Sequence, residues 1–149
     1  MNIDFTLNGS PVSVDVAPDA LLLDVIRGLG HTGTKEGCAV GVCGACTVLV
    51  RELPVSSCLY LAPMAEGAEV WTVEGIAARD PLLIDCFVEC EGMQCGICTP
   101  GQVVSAFALG LDHDEATESE IRHYMAGNLC RCTGYVTITD AVRTYLDRR

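Results

Sequence analysis

Ten cysteines in 149 residues carry the reactive chemistry of this chain, and eight of them fall into two sets with ligand-like spacing. Cys38, Cys43 and Cys46 stand as C-x4-C-x2-C, and Cys58 follows a strand-like run. That is the spacing of plant-type [2Fe–2S] proteins. Two irons bridged by two sulfides need four thiolates, and the backbone N–H groups of a tight loop offset the negative charge of such a group. Gly37, Gly41 and Gly44 let a loop wrap that closely. Cys95 and Cys98 form a C-x2-C, and Cys130 and Cys132 form a C-x-C. Each pair sits on a turn, so two turns could clasp a second cluster. The C-x2-C runs directly into Thr99-Pro100, a helix start whose positive end favours thiolate.

Other uses of these thiols compete. Zinc takes four thiolates and C-x2-C occurs in zinc ribbons, but C-x4-C-x2-C with a more distant fourth cysteine suits zinc poorly. Disulfides belong to oxidising compartments. The start of the chain, Met1 to Leu7, shows neither a basic stretch nor a long apolar one, so the reading is a cytoplasmic protein with reduced thiols. Cys86 and Cys90 differ from the other eight. They are i and i+4 on a helix beside Leu82 and Leu83 and read as small core hydrophobes, with a redox thiol near the second cluster as the alternative.

Two further features are decoys. Gly28-Leu29-Gly30-His31-Thr32-Gly33 matches G-x-G-x-x-G, but it follows a helical pattern where a dinucleotide site needs a strand, so it reads as a helix stop. His113 lies in Asp112-His113-Asp114-Glu115 and reads as a solvated loop residue. The net charge of −11 opposes nucleic acid as a partner. No apolar stretch is long enough to span a bilayer, so membrane insertion is not expected. Half of the residues are apolar and the mean hydropathy is +0.34, which points to surface covered by another subunit.

Ile3, Phe5 and Leu7 alternate with polar residues, as do Val12, Val14 and Val16, with Asn8-Gly9 at the turn between them. Pro18-Asp19 opens a helix with Leu22, Val25, Ile26 and Leu29 on one face, ended by Gly28 or Gly30. Thr47 to Val50 reads as a strand and Val70 to Val73 as a later one. This order is β-grasp-like, an α+β layer with a helix on a mixed sheet. After Glu74-Gly75 four helices are expected: from Asp80 as N-cap with Pro81 at N1, from Thr99-Pro100, from the capping box Thr117 to Glu120, and from about Thr137. The expected division is a β-grasp domain over 1–77 and a helical, four-helix bundle domain over 78–149.

With these residues in place the sequence resembles the small iron–sulfur subunit of the molybdenum hydroxylases, the xanthine dehydrogenase and aldehyde oxidoreductase family. The matching stretches are Gly33 to Cys38, Cys43 to Val48, Val73-Glu74-Gly75, Gln94 to Gly101 and Gly127 to Tyr135. The resemblance implies a plant-type ferredoxin fold followed by a helical [2Fe–2S] domain. It implies a large subunit with a molybdenum–pterin cofactor and a medium subunit with FAD, in a heterotrimer or its dimer. Electrons would pass from molybdenum through the helical-domain cluster and then the β-grasp cluster to flavin, with Gln94 and Cys132 beside the pterin and no substrate-transforming site on this chain. Two stretches depart from relatives: Ala39-Val40-Gly41-Val42, where acidic residues are common, and Arg51-Glu52-Leu53, where a glycine turn is common. A free-standing two-cluster ferredoxin and a structural zinc protein are the competing classes. Copurifying subunits separate the first from a bound subunit, and visible absorbance separates the second.

Overall fold

A computed structural model describes residues 1–149. Strands β1 (Asn2–Leu7) and β2 (Ser10–Asp15) form the expected hairpin, with Asn8 and Gly9 both at positive φ. Helix α1 (Leu22–Gly28), β3 (Thr47–Val50), β4 (Leu53–Ser56), a 3-10 turn (Ala62–Ala65) and β5 (Glu69–Trp71) follow. The sheet order is β2-β1-β5-β3-β4, with β1 and β5 parallel and every other pair antiparallel. The β3–β4 turn closes without glycine, with Arg51 and Glu52 both at positive φ. The C-terminal part holds α2 (Val73–Arg79), α3 (Pro81–Glu89), α4 (Thr99–Asp112), α5 (Glu118–Tyr124), a 3-10 turn (Met125–Gly127) and α6 (Val136–Arg148).

The expected β-grasp order and bundle are present, with three local differences. The late strand stops at Trp71, because Thr72 turns the chain into α2, a short helix that begins at Val73 and crosses residue 78. Gly75 permits this: a Cβ there would run into the side chain of Asn8. In α1 the buried residues are Leu22, Leu23 and Ile26, while Leu29 is exposed because the helix has already ended at Gly28. Asp80 is the N-cap of α3 by position, yet its carboxylate makes no cap. It accepts a 2.6 Å hydrogen bond from the Tyr145 hydroxyl instead. The capping box of Thr117 and Glu120 forms as read.

The packing explains how two small units hold together. Val48 and Val50 face the sheet's own core with Ile3, Phe5, Leu22 and Ile26. Leu49, between them, points the other way into the helical core with Phe87, Val104 and Phe107. Strand alternation therefore makes β3 a two-sided element buried throughout. Helix α4 is buried without interruption from Gly101 to Gly110 and forms the axis of the bundle. No helix is long and apolar enough to cross a membrane.

Candidate metal centres

The loop between α1 and β3 gathers the first thiol set. Cys38 Sγ accepts backbone N–H groups from Val40 at 3.5 Å, Val42 at 3.4 Å and Cys43 at 3.4 Å. Three donors on one sulfur need a loop that doubles back, and Ala39, Gly41 and Gly44 all adopt positive φ to provide it. The Val40 amide, then those of Cys43 and Val42, pull the Cys38 thiol down to about 6. The loop also leaves room for a bound group: a Cβ on Gly37 would lie 2.8 Å from Cys43 Sγ. Cys46 and Cys58 are buried and pack with Leu23 of α1. Burial, then the neighbouring Cys46, pushes the Cys58 thiol up. Cys43 lies beside Cys38, and Cys46 and Cys38 both lie near Cys58.

The second set comes from two turns of the bundle. Cys95 and Cys98 precede α4, with Cys98 as its N-cap, and Cys130 and Cys132 lie between the second 3-10 turn and α6. The two turns come together, with Cys132 and Cys130 near Cys95 and Cys130 beside Cys98. Cys95 and Cys132 are exposed, whereas Cys130 is buried. Burial and the adjacent Cys130 push the Cys98 thiol up to about 12. Burial opposes ionisation of Cys130 too, but the hydroxyl and amide of Thr133 outweigh it and hold that thiol below its usual range. Tyr135, at positive φ, returns over the turn so that its hydroxyl accepts the Cys130 amide at 3.0 Å.

The donor chemistry fits two two-iron groups. Each set supplies four thiols, the number that a [2Fe–2S] group takes. All ten cysteines are free thiols. Cys86 is buried in the helical core and Cys90 lies half-buried, 3.6 Å from Thr144 Oγ1, as the core reading expects. Gln94 is exposed immediately before Cys95. Helix α1 runs directly into Gly28 to Gly33, and His113 is exposed.

The sets are joined directly, which the sequence does not disclose. The amide of Leu129 donates to the carbonyl of Cys43 at 2.9 Å. Beside it the Asn128 amide group donates to the carbonyl of Gly44 at 3.0 Å. A second unforeseen network lies at the base of the first loop. Asn8 Nδ2 meets His31 Nδ1 at 3.2 Å and donates to Thr72 Oγ1 at 2.9 Å, and Thr72 Oγ1 donates to Glu74 at 2.6 Å. These residue types are common in turns, and nothing in their spacing marks them.

Comparison with known proteins gives consistent matches. Residues 5–72 match the 2Fe-2S iron-sulfur cluster binding domain and residues 72–143 the [2Fe-2S] binding domain. The chain is 44% identical to the nicotinate dehydrogenase small FeS subunit of Eubacterium barkeri, covering 99% of this chain and 96% of that one. It is 42% identical to the xanthine dehydrogenase iron-sulfur-binding subunit of Escherichia coli O157:H7, covering 95% and 92%. Among solved structures, quinoline 2-oxidoreductase from Pseudomonas putida 86 superposes with a TM-score of 0.93 at 42% identity, over 99% of this chain and 94% of that one.

Proposed function

The chain belongs to the small [2Fe–2S] subunits of the molybdenum hydroxylases, and from that premise we propose that it relays electrons from a molybdenum–pterin cofactor on a large subunit to FAD on a medium subunit. Cys38, Cys43, Cys46 and Cys58 hold one cluster; Cys95, Cys98, Cys130 and Cys132 hold the other. When bound, the two clusters supply one-electron redox steps. The division into residues 1–77 and 78–149 gives each cluster its own fold, and the cytoplasm keeps the thiols reduced for assembly.

The observation that carries this reading is the bond from Leu129 N–H to the Cys43 carbonyl. One residue carries a first-set thiol and the other adjoins Cys130, so this bond links the backbone of the two sites directly. Outward from that junction the residues differ. Cys95 and Cys132 are exposed together with Gln94 and Ile97, which suits the proposed approach of a pterin. A glutamine amide can both donate to and accept from a pterin edge. At the other site Val40, Val42 and Leu59 are exposed around half-buried Cys38 and Cys43. Apolar surface at both ends supports burial against two partners, in a heterotrimer or its dimer, over a free-standing ferredoxin.

The test is to purify the chain with whatever assembles on it. The expected content is about four irons and four sulfides per chain, with molybdenum and flavin on copurifying subunits and two distinguishable [2Fe–2S] EPR signals. Rapid mixing with substrate should raise the helical-domain signal ahead of the other. Stoichiometric zinc, or a chain that purifies alone with no affinity for the other subunits, would end this reading.

A further inference from the structure

Between the two thiol sets lies a residue with no hydrogen bond to sulfur, Asn128. Asn128 is 4% exposed, and its polar atoms are spent on both sides of the junction. Its Nδ2 donates to the Gly44 carbonyl at 3.0 Å and to Thr47 Oγ1 at 3.3 Å. Gly44 follows Cys43 and Thr47 follows Cys46, so these bonds grip the first loop. Its Oδ1 accepts from Ser105 Oγ at 2.7 Å, and its own carbonyl accepts from Gln102 Nε2 at 2.8 Å. Both of those residues are on α4, the helix that Cys98 caps, so these bonds grip the second site.

The backbone is shaped to admit that amide. A Cβ on Gly44 would meet the Gly127 carbonyl and come within 2.6 Å of Asn128 Nδ2. A Cβ on Gly101 would run into the Gly44 carbonyl and lie 3.1 Å from the same nitrogen. The loops therefore approach as closely as backbone alone allows, with the asparagine amide filling the remaining space. Thr47 Oγ1 donates to the same Gly44 carbonyl at 2.7 Å, closing the network. A buried amide with all its partners in place specifies one arrangement where an apolar contact would tolerate several.

We infer that Asn128 is a positioning residue for electron transfer between the two clusters: its amide fixes the approach of the Cys43 loop to the Cys130 turn, and with it the Leu129-to-Cys43 hydrogen bond. The inference rests on the relay proposed above. Transfer between two carriers falls steeply with their separation and with loss of the bonded path, whereas each carrier's potential depends on its own ligands and field. Loosening the junction should thus slow transfer without altering either site.

The test uses the assembled complex carrying Asn128→Leu, which keeps the approximate side-chain shape and removes the side chain's hydrogen bonds, and Ser105→Ala, which removes one. Iron and sulfide content and both potentials should match the native complex. After full chemical reduction, the magnetic coupling between the two EPR signals should weaken in Asn128→Leu and change less in Ser105→Ala. Transfer from the second site to the first should slow by roughly ten- to a hundredfold in Asn128→Leu, the scale on which a small misplacement acts in positioned chemistry. If Asn128→Leu does not assemble, Thr47→Val should weaken the coupling and Thr47→Ser should restore it. Native coupling and rate in variants holding both clusters would overturn the inference. Chemical reduction does not depend on the direction of the relay. Weakened coupling with unchanged flavin reduction by substrate therefore supports the role of Asn128 and removes the relay reading instead.

Discussion

Glu74 Oε1 accepts a 2.8 Å hydrogen bond from the backbone amide of Gly33. That bond fastens the start of α2 to the stretch that leads into Cys38, while Glu74 Oε2 takes the Thr72 hydroxyl at 2.6 Å. The first thiol loop is thus anchored by a residue of the segment joining the two parts of the chain.

The anchor carries a pH dependence. Burial opposes ionisation of Glu74, but the Thr72 hydroxyl, the backbone amides of Glu74 and Gly33, and His31 outweigh it and hold the carboxyl below its ordinary 4.5. A carboxyl depressed in the folded state contributes stability that is present above its ordinary value and lost as pH falls through the folded one. Glu74→Gln should remove that part of the acid destabilisation, read as a smaller fall in Tm between neutral pH and pH 4. Glu74→Ala should cost about 1 kcal/mol at neutral pH, the low end for a bond to a charged group that water also reaches.

The alkaline side has the opposite sign. Burial, then the Asp80 carboxylate, pushes the Tyr145 hydroxyl up. Burial and Asp112 push Tyr124 up to about 12. Phenols raised in the folded state are stabilising below their ordinary value of 10 and lose that contribution as pH climbs toward the folded values. Stability should therefore fall above pH 10, and Tyr145→Phe should flatten the fall. The same variant should cost about 1 kcal/mol at neutral pH, because Asp80 loses a partner. Denaturant midpoints at pH 7 and pH 11 check both statements.

Val42 offers a handle on one site alone. Its amide already donates to Cys38 Sγ at 3.4 Å, while its side chain is 61% exposed, so Val42→Glu adds a charge without breaking the loop. A carboxylate near a cluster opposes the arrival of an electron. The potential of the first cluster should fall by tens of millivolts, about what a solvent-screened charge at this range supplies, and the second should barely move. A redox titration followed at both EPR signals decides it; no shift, or an upward one, counts against the assignment of this loop.

Cys43→Ser tests the order of the relay. Oxygen is a harder ligand than thiolate, so the first cluster should be lost or its potential should drop. Substrate should still reduce molybdenum and the helical-domain cluster. Flavin reduction by substrate should slow severely, while chemical reductants still reach flavin. A lesion at Cys98 should instead stop transfer before either cluster is reduced. Rapid-mixing spectra of both variants give the comparison, and native flavin reduction in Cys43→Ser with its cluster missing would reverse the proposed order.

What the sequence determined is local. Cys38, Cys43 and Cys46 share one loop because only four and two residues separate neighbours and glycines permit the turn. The hairpin at Asn8-Gly9 and the capping box at Thr117 are equally short-range, and both formed as read.

What only the tertiary structure decided depends on groups that meet from distant parts of the chain. Val73 to Arg79 can run as a helix past Asn8 because Gly75 carries no side chain, and the Asp80 carboxylate takes the Tyr145 hydroxyl from α6 in place of a cap. That Leu129 meets Cys43 with Asn128 wedged beside them follows from β3 burying one face on the sheet's core and the other on the bundle. Spacing along the chain governs which atoms can share a loop. The distance between two loops is set by the packing of everything beneath them, and a backbone amide or an asparagine carries no mark in sequence of the partner that packing will bring to it.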